Sequence, residues 1–340
     1  MSEEALVYVE RNELRELFKT KLVNAGLPNY LADKTADLMI FADERGIHSH
    51  GSVRTQYYAE RIAKKGLNLD PQFNFEQTGP STGTYFGDNT VGHYVAYEAM
   101  EKAITLAEDS GIGMVGVKEI GHSGAIGYFA EQAAKRGMVA LTVCQSDPMV
   151  VPFGGTEPYF GTNPIAFAAP RENGEPILFD MATTVQAWGK ILDARSKNKS
   201  IPDTWAVDKN GEPTTDPFEV GALLPVAGPK GYGLMMMIDI LSGSLLGLPF
   251  GKHVTSMYED LSEYRRLGQF HIVINPAFFG DKDQFLKQVS EMVEELHAIK
   301  PAKGFDQVYY PGEIQEEVKA QYKESGIPVA QSIYDYLQSD

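Results

Sequence analysis

The stretch from Thr90 to Cys144 constrains the fold most, because its apolar spacing alternates between helical and strand periods. Helical spacing runs from Thr90 to about Ser110, and an apolar run follows from Ile112 to Lys118. Helical spacing returns from Gly124 to Arg136, and Met138 to Cys144 is rich in strand formers. This alternation predicts an α/β (α+β) core. Pro164 to Ala169, Pro176 to Phe179 and Phe270 to Ile274 read as further strands, and Thr184 to Ala194 as a helix.

Helices lead into that core. Leu14, Leu17, Phe18 and Leu22 recur at helical spacing between Asn12, read as the N-cap, and Gly26. A second amphipathic helix spans Leu31 to Phe41. A third runs from Val53 to Lys65, with Ser52 as its cap and Gly66 as its end. On this reading three helices precede the first convincing strand. Acidic helices from Asp281 to Ala298 and from Glu313 to Lys323 close the chain, and no repeat or low-complexity tract interrupts it.

One glycine string invites a wrong conclusion. Gly111-Ile112-Gly113-Met114-Val115-Gly116 matches GxGxxG. The dinucleotide fingerprint needs a strand before the glycines and a helix after them, so that helix amides meet the pyrophosphate. Here a helix ends at Ser110, Gly111 reads as its left-handed C-terminal residue, and the other two glycines fall inside a strand. No Rossmann domain is expected.

Charge and cysteine content exclude several functions. A net charge of -16 disfavours a protein that coats phosphate backbones or anionic membranes. Cys144 is the only cysteine, which removes disulfide frameworks and cysteine-based zinc sites and favours a reducing compartment. The most apolar run, Gly233 to Leu248, is broken by Asp239, Gly243 and Gly247. The opening Met-Ser-Glu-Glu-Ala lacks the pattern of a signal peptide, so a cytoplasmic protein is expected.

Three segments carry candidate chemistry. Gly121-His122-Ser123-Gly124 sits between a strand and a helix, where a histidine can project into a cleft with helix-terminal amides nearby to meet an anion. The ordinary histidine pKa suits proton removal from a substrate hydroxyl, although a turn histidine that only hydrogen-bonds fits the same residues. In Arg45-Gly-Ile-His-Ser-His-Gly-Ser-Val-Arg54, continuing to Tyr58, Arg54 and Tyr58 share a helix face, and a guanidinium pairs naturally with a carboxylate. A solvated cap with an exposed arginine is the plainer alternative. His48 and His50 have no Asp, Glu or Cys at a familiar ligand spacing, so no metal is expected. Gly228-Pro-Lys230-Gly231-Tyr232-Gly233 is a glycine-rich entry to a helix that could cradle an anion, or simply a turn needed for close packing. It lacks a Walker GKS or GKT ending. The Met235-Met236-Met237 run reads as core filling. Cys144 to Pro148, Gly161 to Pro164 and Asp180 to Thr183 are polar turns at strand ends. Arg265 reads as a second carboxylate reader or a surface ion pair. No G-x-S-x-G elbow supports an α/β-hydrolase.

Taken in order, ADERGIHSHGSVR, GHSGAIGYF, YFGTNPIAFAAP, FDMATTVQAWGKILDAR and GPKGYGLMMMIDILSG resemble the type 2 malate/L-lactate dehydrogenase family from about Leu14 to Tyr336. CQSDPMVVPFGG and the DMATTVQAWGKILDARS run resemble one branch in particular, whose 2-hydroxy acid carries a ureido group. The resemblance implies a homodimer with a non-Rossmann mixed-sheet domain that binds NAD. It implies a helical part at 1–75, an α/β core at 76–280 with cofactor and substrate regions, and carboxyl-terminal helices at 281–340 rejoining the helical part. His122 would be the general acid/base. Ser146, Asp180, Met181, Ala182 and Lys230 would contact the cofactor, and His50, Arg54, Tyr58, Asp147, Asn163 and Arg265 would surround the substrate. The alternatives are a dehydrogenase or reductase of another 2-hydroxy, 2-oxo or cyclic imino acid, and a non-catalytic binder of small anions.

Overall fold

A computed structural model describes residues 5–339; residues 1–4, where the signal-peptide reading begins, and residue 340 lie outside them. In chain order the strands are β1 (Leu6–Val9), β2 (Asn74–Gly79), β3 (Thr82–Phe86), β4 (Ile112–Ile120), β5 (Val139–Cys144), β6 (Ile165–Ala169), β7 (Ile177–Met181), β8 (Ala206–Val207), β9 (Ala222–Leu223), β10 (Leu267–Ile274) and β11 (Ile327–Ala330). The helices are α1 (Arg11–Asn24), α2 (Asn29–Asp43), α3 (Thr55–Ala63), α4 (Gly92–Ser110), α5 (Gly127–Ala134), α6 (Trp188–Ser196), α7 (Pro229–Ser242), α8 (Lys282–Ala298), α9 (Glu313–Ser325) and α10 (Gln331–Gln338).

The core is a seven-stranded mixed sheet in the order β2-β3-β4-β10-β5-β6-β7. Only β3 and β4 pair in parallel; the other neighbours are antiparallel. Side-chain alternation along β10 sorts the two faces. Val273 joins the core formed with α4 and α5, whereas Phe270 packs with Ile238 of α7 and with Leu246. The rejected glycine string behaves as read: Gly111 ends α4 with φ 84°, and Gly113 and Gly116 lie in β4. A Cβ on Gly113 would stand 1.8 Å from the Ala103 carbonyl oxygen, so that glycine permits α4 to lie close on the sheet.

A second core joins the two ends of the chain. Leu14, Phe18 and Leu22 of α1 pack with Leu31, Ala36 and Ile40 of α2, and with Ile327, Val329 and Leu337 near the carboxyl end. β1 pairs antiparallel with β11, from Leu6 opposite Ala330 to Val9 opposite Ile327. A strand therefore precedes the three early helices, contrary to the sequence reading. α8 hydrogen-bonds elsewhere, with Leu286 accepting from Glu172 and Ser290 from Asn173.

Local readings also shift. The cap of α1 is Glu10, whose carboxylate accepts from Asn12 N and Glu13 N, not Asn12. The third helix begins only at Thr55, because two 3-10 turns, His48–His50 and Ser52–Arg54, occupy the segment before it. α6 starts at Trp188 rather than Thr184, since Thr184 bridges to Pro225.

Candidate active site

The sheet brings the polar turns together at one end. β10 runs antiparallel to β4 and β5, so Leu267 lies opposite Ile120 and Gln269 opposite Cys144. β6 and β7 continue the alternation, with Val143 opposite Ile165 and Ile165 opposite Met181. The residues after β4, β5 and β7 and before β6 and β10 consequently share one rim. With strands about 4.8 Å apart, four spacings place β4 and β7 roughly 19 Å from each other along it.

His122 follows β4 on this rim and is partly exposed. Its Nδ1 is 2.7 Å from the Tyr58 hydroxyl, which is also 3.3 Å from His93 Nε2. The His50 ring stacks on His122 at 5.7 Å between centroids. Arg54 donates from Nε to the Ser49 carbonyl at 2.7 Å and from Nη1 to the Tyr258 hydroxyl at 3.0 Å, and it remains partly exposed. Burial holds the His122 imidazole well below its ordinary pKa, reinforced by His50, Arg54, His93 and Arg265. Held neutral, the ring keeps a nitrogen lone pair open to a proton, and an anionic substrate beside it would raise its basicity.

The turn carrying His50 and Arg54 is pinned from beneath. Asp43, fully buried at the end of α2, accepts from Ser52 N at 2.6 Å and contacts His48 Nδ1 at 2.9 Å. A Cβ on Gly51 would stand 2.1 Å from that carboxylate. Gly51→Ala is expected to destabilise the protein by about 1–3 kcal/mol, as overpacked sites do; a urea midpoint unchanged from wild type would show that the turn can relax. His48 thus turns towards Asp43 while His50 faces His122, so the two do not converge on one point.

Several expected contacts are already committed within the protein. Arg265 is neither an open carboxylate reader nor a surface pair: it is buried, donating from Nη2 to Asp147 at 2.8 Å and from Nε to the Thr255 carbonyl at 2.9 Å. Its Nη1 has no partner among the described residues. Asn163 is also buried, its Oδ1 accepting from Ser146 N at 3.1 Å and its Nδ2 donating to the Met235 carbonyl at 3.1 Å. It shapes the rim rather than presenting a free amide. The first amide of α5 does not await an anion, because Gly127 N donates to Asp180 Oδ2 at 2.7 Å. Burial raises the Asp180 carboxyl to about 6, with that hydrogen bond opposing the shift.

Ser146, Thr162 and Thr183 sew the three turns together. Ser146 Oγ accepts from Thr162 N at 2.8 Å, and Thr183 Oγ1 donates to the Thr162 carbonyl at 2.9 Å. Met181 and Ala182 lie beside them, partly exposed. Gly228 enters α7 with φ 59° ahead of Pro229, and Lys230 is exposed, with no ion pair among the described residues. A recess of about 430 Å³ adjoins Gly228, lined in part by Phe153, Gly154, Val185 and Ala227. It does not include His122, whose cluster opens to solvent separately.

Sequence reasoning passed over His93, Tyr258 and Asp43. His93 lies inside the helical run of α4, and only its polar character among buried neighbours hints at a role. The methionine run was misjudged in part: Met235 is buried, but Met236 and Met237 are 38% and 42% exposed because α7 is apolar on every side and buries only one.

Residues 9–338 match the malate/L-lactate dehydrogenase family. The ureidoglycolate dehydrogenase (NAD(+)) of Escherichia coli O157:H7 is 58% identical over 332 residues, covering 98% of this chain and 95% of that protein. A malate dehydrogenase of Pyrococcus abyssi is 38% identical, covering 98% of this chain and 94% of its own. Among solved structures, sulfolactate dehydrogenase from Methanocaldococcus jannaschii superposes with a TM-score of 0.91 at 36% identity, covering 98% of this chain and 96% of that one.

Proposed function

The chain belongs to the malate/L-lactate dehydrogenase family, and we propose that it oxidises (S)-ureidoglycolate to oxalurate with NAD, a step of ureide (allantoin) breakdown. The 58% identity to a ureidoglycolate dehydrogenase, against 38% to a malate dehydrogenase, favours this substrate within the family. The observation that carries the chemistry is His122 held with its Nδ1 2.7 Å from the Tyr58 hydroxyl, beside Arg54 and with burial lowering its pKa.

In this reading the partly exposed Arg54 receives the substrate carboxylate, while Arg265, buried against Asp147, acts on the site only through its charge. His122 Nε2 takes the hydroxyl proton as C2 is oxidised. Oxidising a hydroxyl needs only a base and a hydride acceptor, so no metal is invoked. Lys230, Ser146 and the turn from Asp180 to Ala182 would hold the cofactor. They fit it: an exposed ammonium at a glycine-led helix entry suits a pyrophosphate, and the rim beyond β7 leads back towards His122. When bound, the nicotinamide accepts the hydride. Comparing kcat/KM for (S)-ureidoglycolate, malate, lactate and sulfolactate with NAD tests the substrate; a preference for any of the last three keeps the family and discards the assignment.

The lowered pKa of His122 has a kinetic signature. The base must be neutral to act, so the acid limb of kcat/KM for oxidation is expected below pH 6.5, the ordinary histidine value. A bound substrate carboxylate favours the imidazolium, so the limb of kcat lies at higher pH than that of kcat/KM. A kcat/KM limb above 6.5 contradicts a lowered His122 pKa.

The partner is a second copy of the chain, in a cytoplasmic setting; no helix among the described residues is long and apolar enough to cross a membrane. Support comes from the uncovered apolar face of Met236, Met237 and Ile240 on α7, together with Leu245 and Phe250. Met237→Glu is expected to move the mass measured by light scattering from dimer to monomer. An unchanged dimer would place the contact elsewhere.

A further inference from the structure

We infer that His93 is a positioning residue whose Nε2 fixes the direction of the hydrogen-bond chain ending at His122. The inference rests on the reading of His122 as the base. The Tyr58 hydroxyl has one proton and two ring-nitrogen neighbours, His122 Nδ1 at 2.7 Å and His93 Nε2 at 3.3 Å. It can donate to only one of them. If it donates to His122, the imidazole proton of that residue sits on Nε2, and no lone pair remains for the substrate hydroxyl. If it donates to His93, His122 donates from Nδ1 and keeps Nε2 free. Only the second direction supports catalysis, and it requires an acceptor at His93. After the substrate proton arrives on Nε2, the Nδ1–H bond to Tyr58 is unchanged, so neither step of the cycle reorganises the chain.

Two observations single out His93. Its ring is wholly buried and wedged in place: a Cβ on Gly124 would come within 2.9 Å of Nε2, and the ring meets Tyr58 edge-on at 5.1 Å between centroids. Its Nδ1 has no partner among the described residues. The other wholly buried histidine, His271, has both nitrogens engaged, by Thr142 Oγ1 at 2.9 Å and the Ala96 carbonyl at 3.0 Å. A buried ring nitrogen without a partner is an exception that calls for a reason. The tautomer that leaves Nε2 as an acceptor places its proton on this unpartnered Nδ1. His93 does not meet the substrate proton, which arrives on His122 Nε2; burial and the nearby His50 also push its pKa down to about 3. The charge forms on His122, faced by Tyr58 of α3, His93 of α4, His50 and Arg54 of the 3-10 turns, and Arg265 ahead of β10.

The test is long-range nitrogen–proton NMR of the full chain, labelled at histidine and saturated with NADH, which distinguishes Nδ1–H from Nε2–H. The wild type is expected to show His122 protonated on Nδ1. Tyr58→Phe and His93→Leu should each move population to Nε2–H and lower kcat about 10–100-fold, as loss of an orienting partner does. The double variant should be no worse than either single one, and His93→Gln, which retains an acceptor, should recover most of the loss. A wild-type His122 protonated on Nε2 overturns the proposal whether or not the variants fold, as does a tautomer indifferent to Tyr58→Phe. Failure of the underlying reading looks different: His122→Gln would then keep near-normal turnover.

Discussion

Replacing His122 with alanine is expected to lower kcat by about 10²–10⁴-fold while leaving NAD affinity near wild type, because general-base catalysis is lost and no neighbouring group is placed to supply it. The nearest titratable neighbours are poor substitutes. Burial holds the Tyr58 phenol protonated far above the ordinary range, and His50, itself pushed down to about 4 by burial and the positive Arg54, has its Nδ1 engaged with Ser49 Oγ at 2.9 Å. Ser146 lies farther along the rim and Lys230 at the entry to α7, and neither is expected to register the change. His122→Ala should also abolish the acid limb of kcat/KM, leaving a flat residual rate. Turnover within a few-fold of wild type, with the limb intact, would transfer the base role to another residue.

Asp147→Ala is the most damaging change expected for the fold. It strands Arg265, whose side chain is 1% exposed against 7% for its partner, as a buried cation. It also removes the acceptor of Met257 N, bonded to Asp147 Oδ2 at 3.0 Å. Breaking a buried pair from one side costs about 3–5 kcal/mol, since the remaining charge has neither water nor counter-charge. Asp147→Asn keeps an acceptor for Met257 N but loses the charge, and should fall between alanine and wild type. Urea unfolding at fixed protein concentration measures both. A loss under about 1 kcal/mol for alanine would mean that the guanidinium reaches water once its partner is gone.

These two residues also show how much of the site could be read beforehand. His122 was legible because a strand stop, a glycine pair and a helix start surround it within a few residues, and the fold then places it on the rim. Asp147 and Arg265 were each legible as polar residues in turns, but their partnership was not: they are 118 positions apart, and only the antiparallel pairing of β5 with β10 joins them. The same holds for Arg54 with Tyr258, 204 positions apart, and for Asp180 with Gly127, 53 apart. Sequence periodicity reports burial of one element against an unspecified neighbour, so helices such as α2, α4 and α8 were visible while their partners were not. The hairpin of β2 and β3 escaped notice because β2 is largely exposed along its length and shows little alternation. β1 is four residues long and acquires its identity only from β11 at the far end of the chain. Asn163 was visible as a polar turn residue, but a φ of 30° and two backbone contacts give it a shaping role.

The most direct test of the account is absorbance in the reduced-nicotinamide band when the purified protein meets racemic ureidoglycolate and either NAD or NADP, with oxalurate measured alongside. Rapid signal is expected with NAD and little with NADP, with half the racemate consumed and one oxalurate formed per NADH. Signal with malate or lactate but none with ureidoglycolate would contradict the substrate assignment, and tight NADH binding without turnover of any acid would contradict the proposal that the chain is a catalyst.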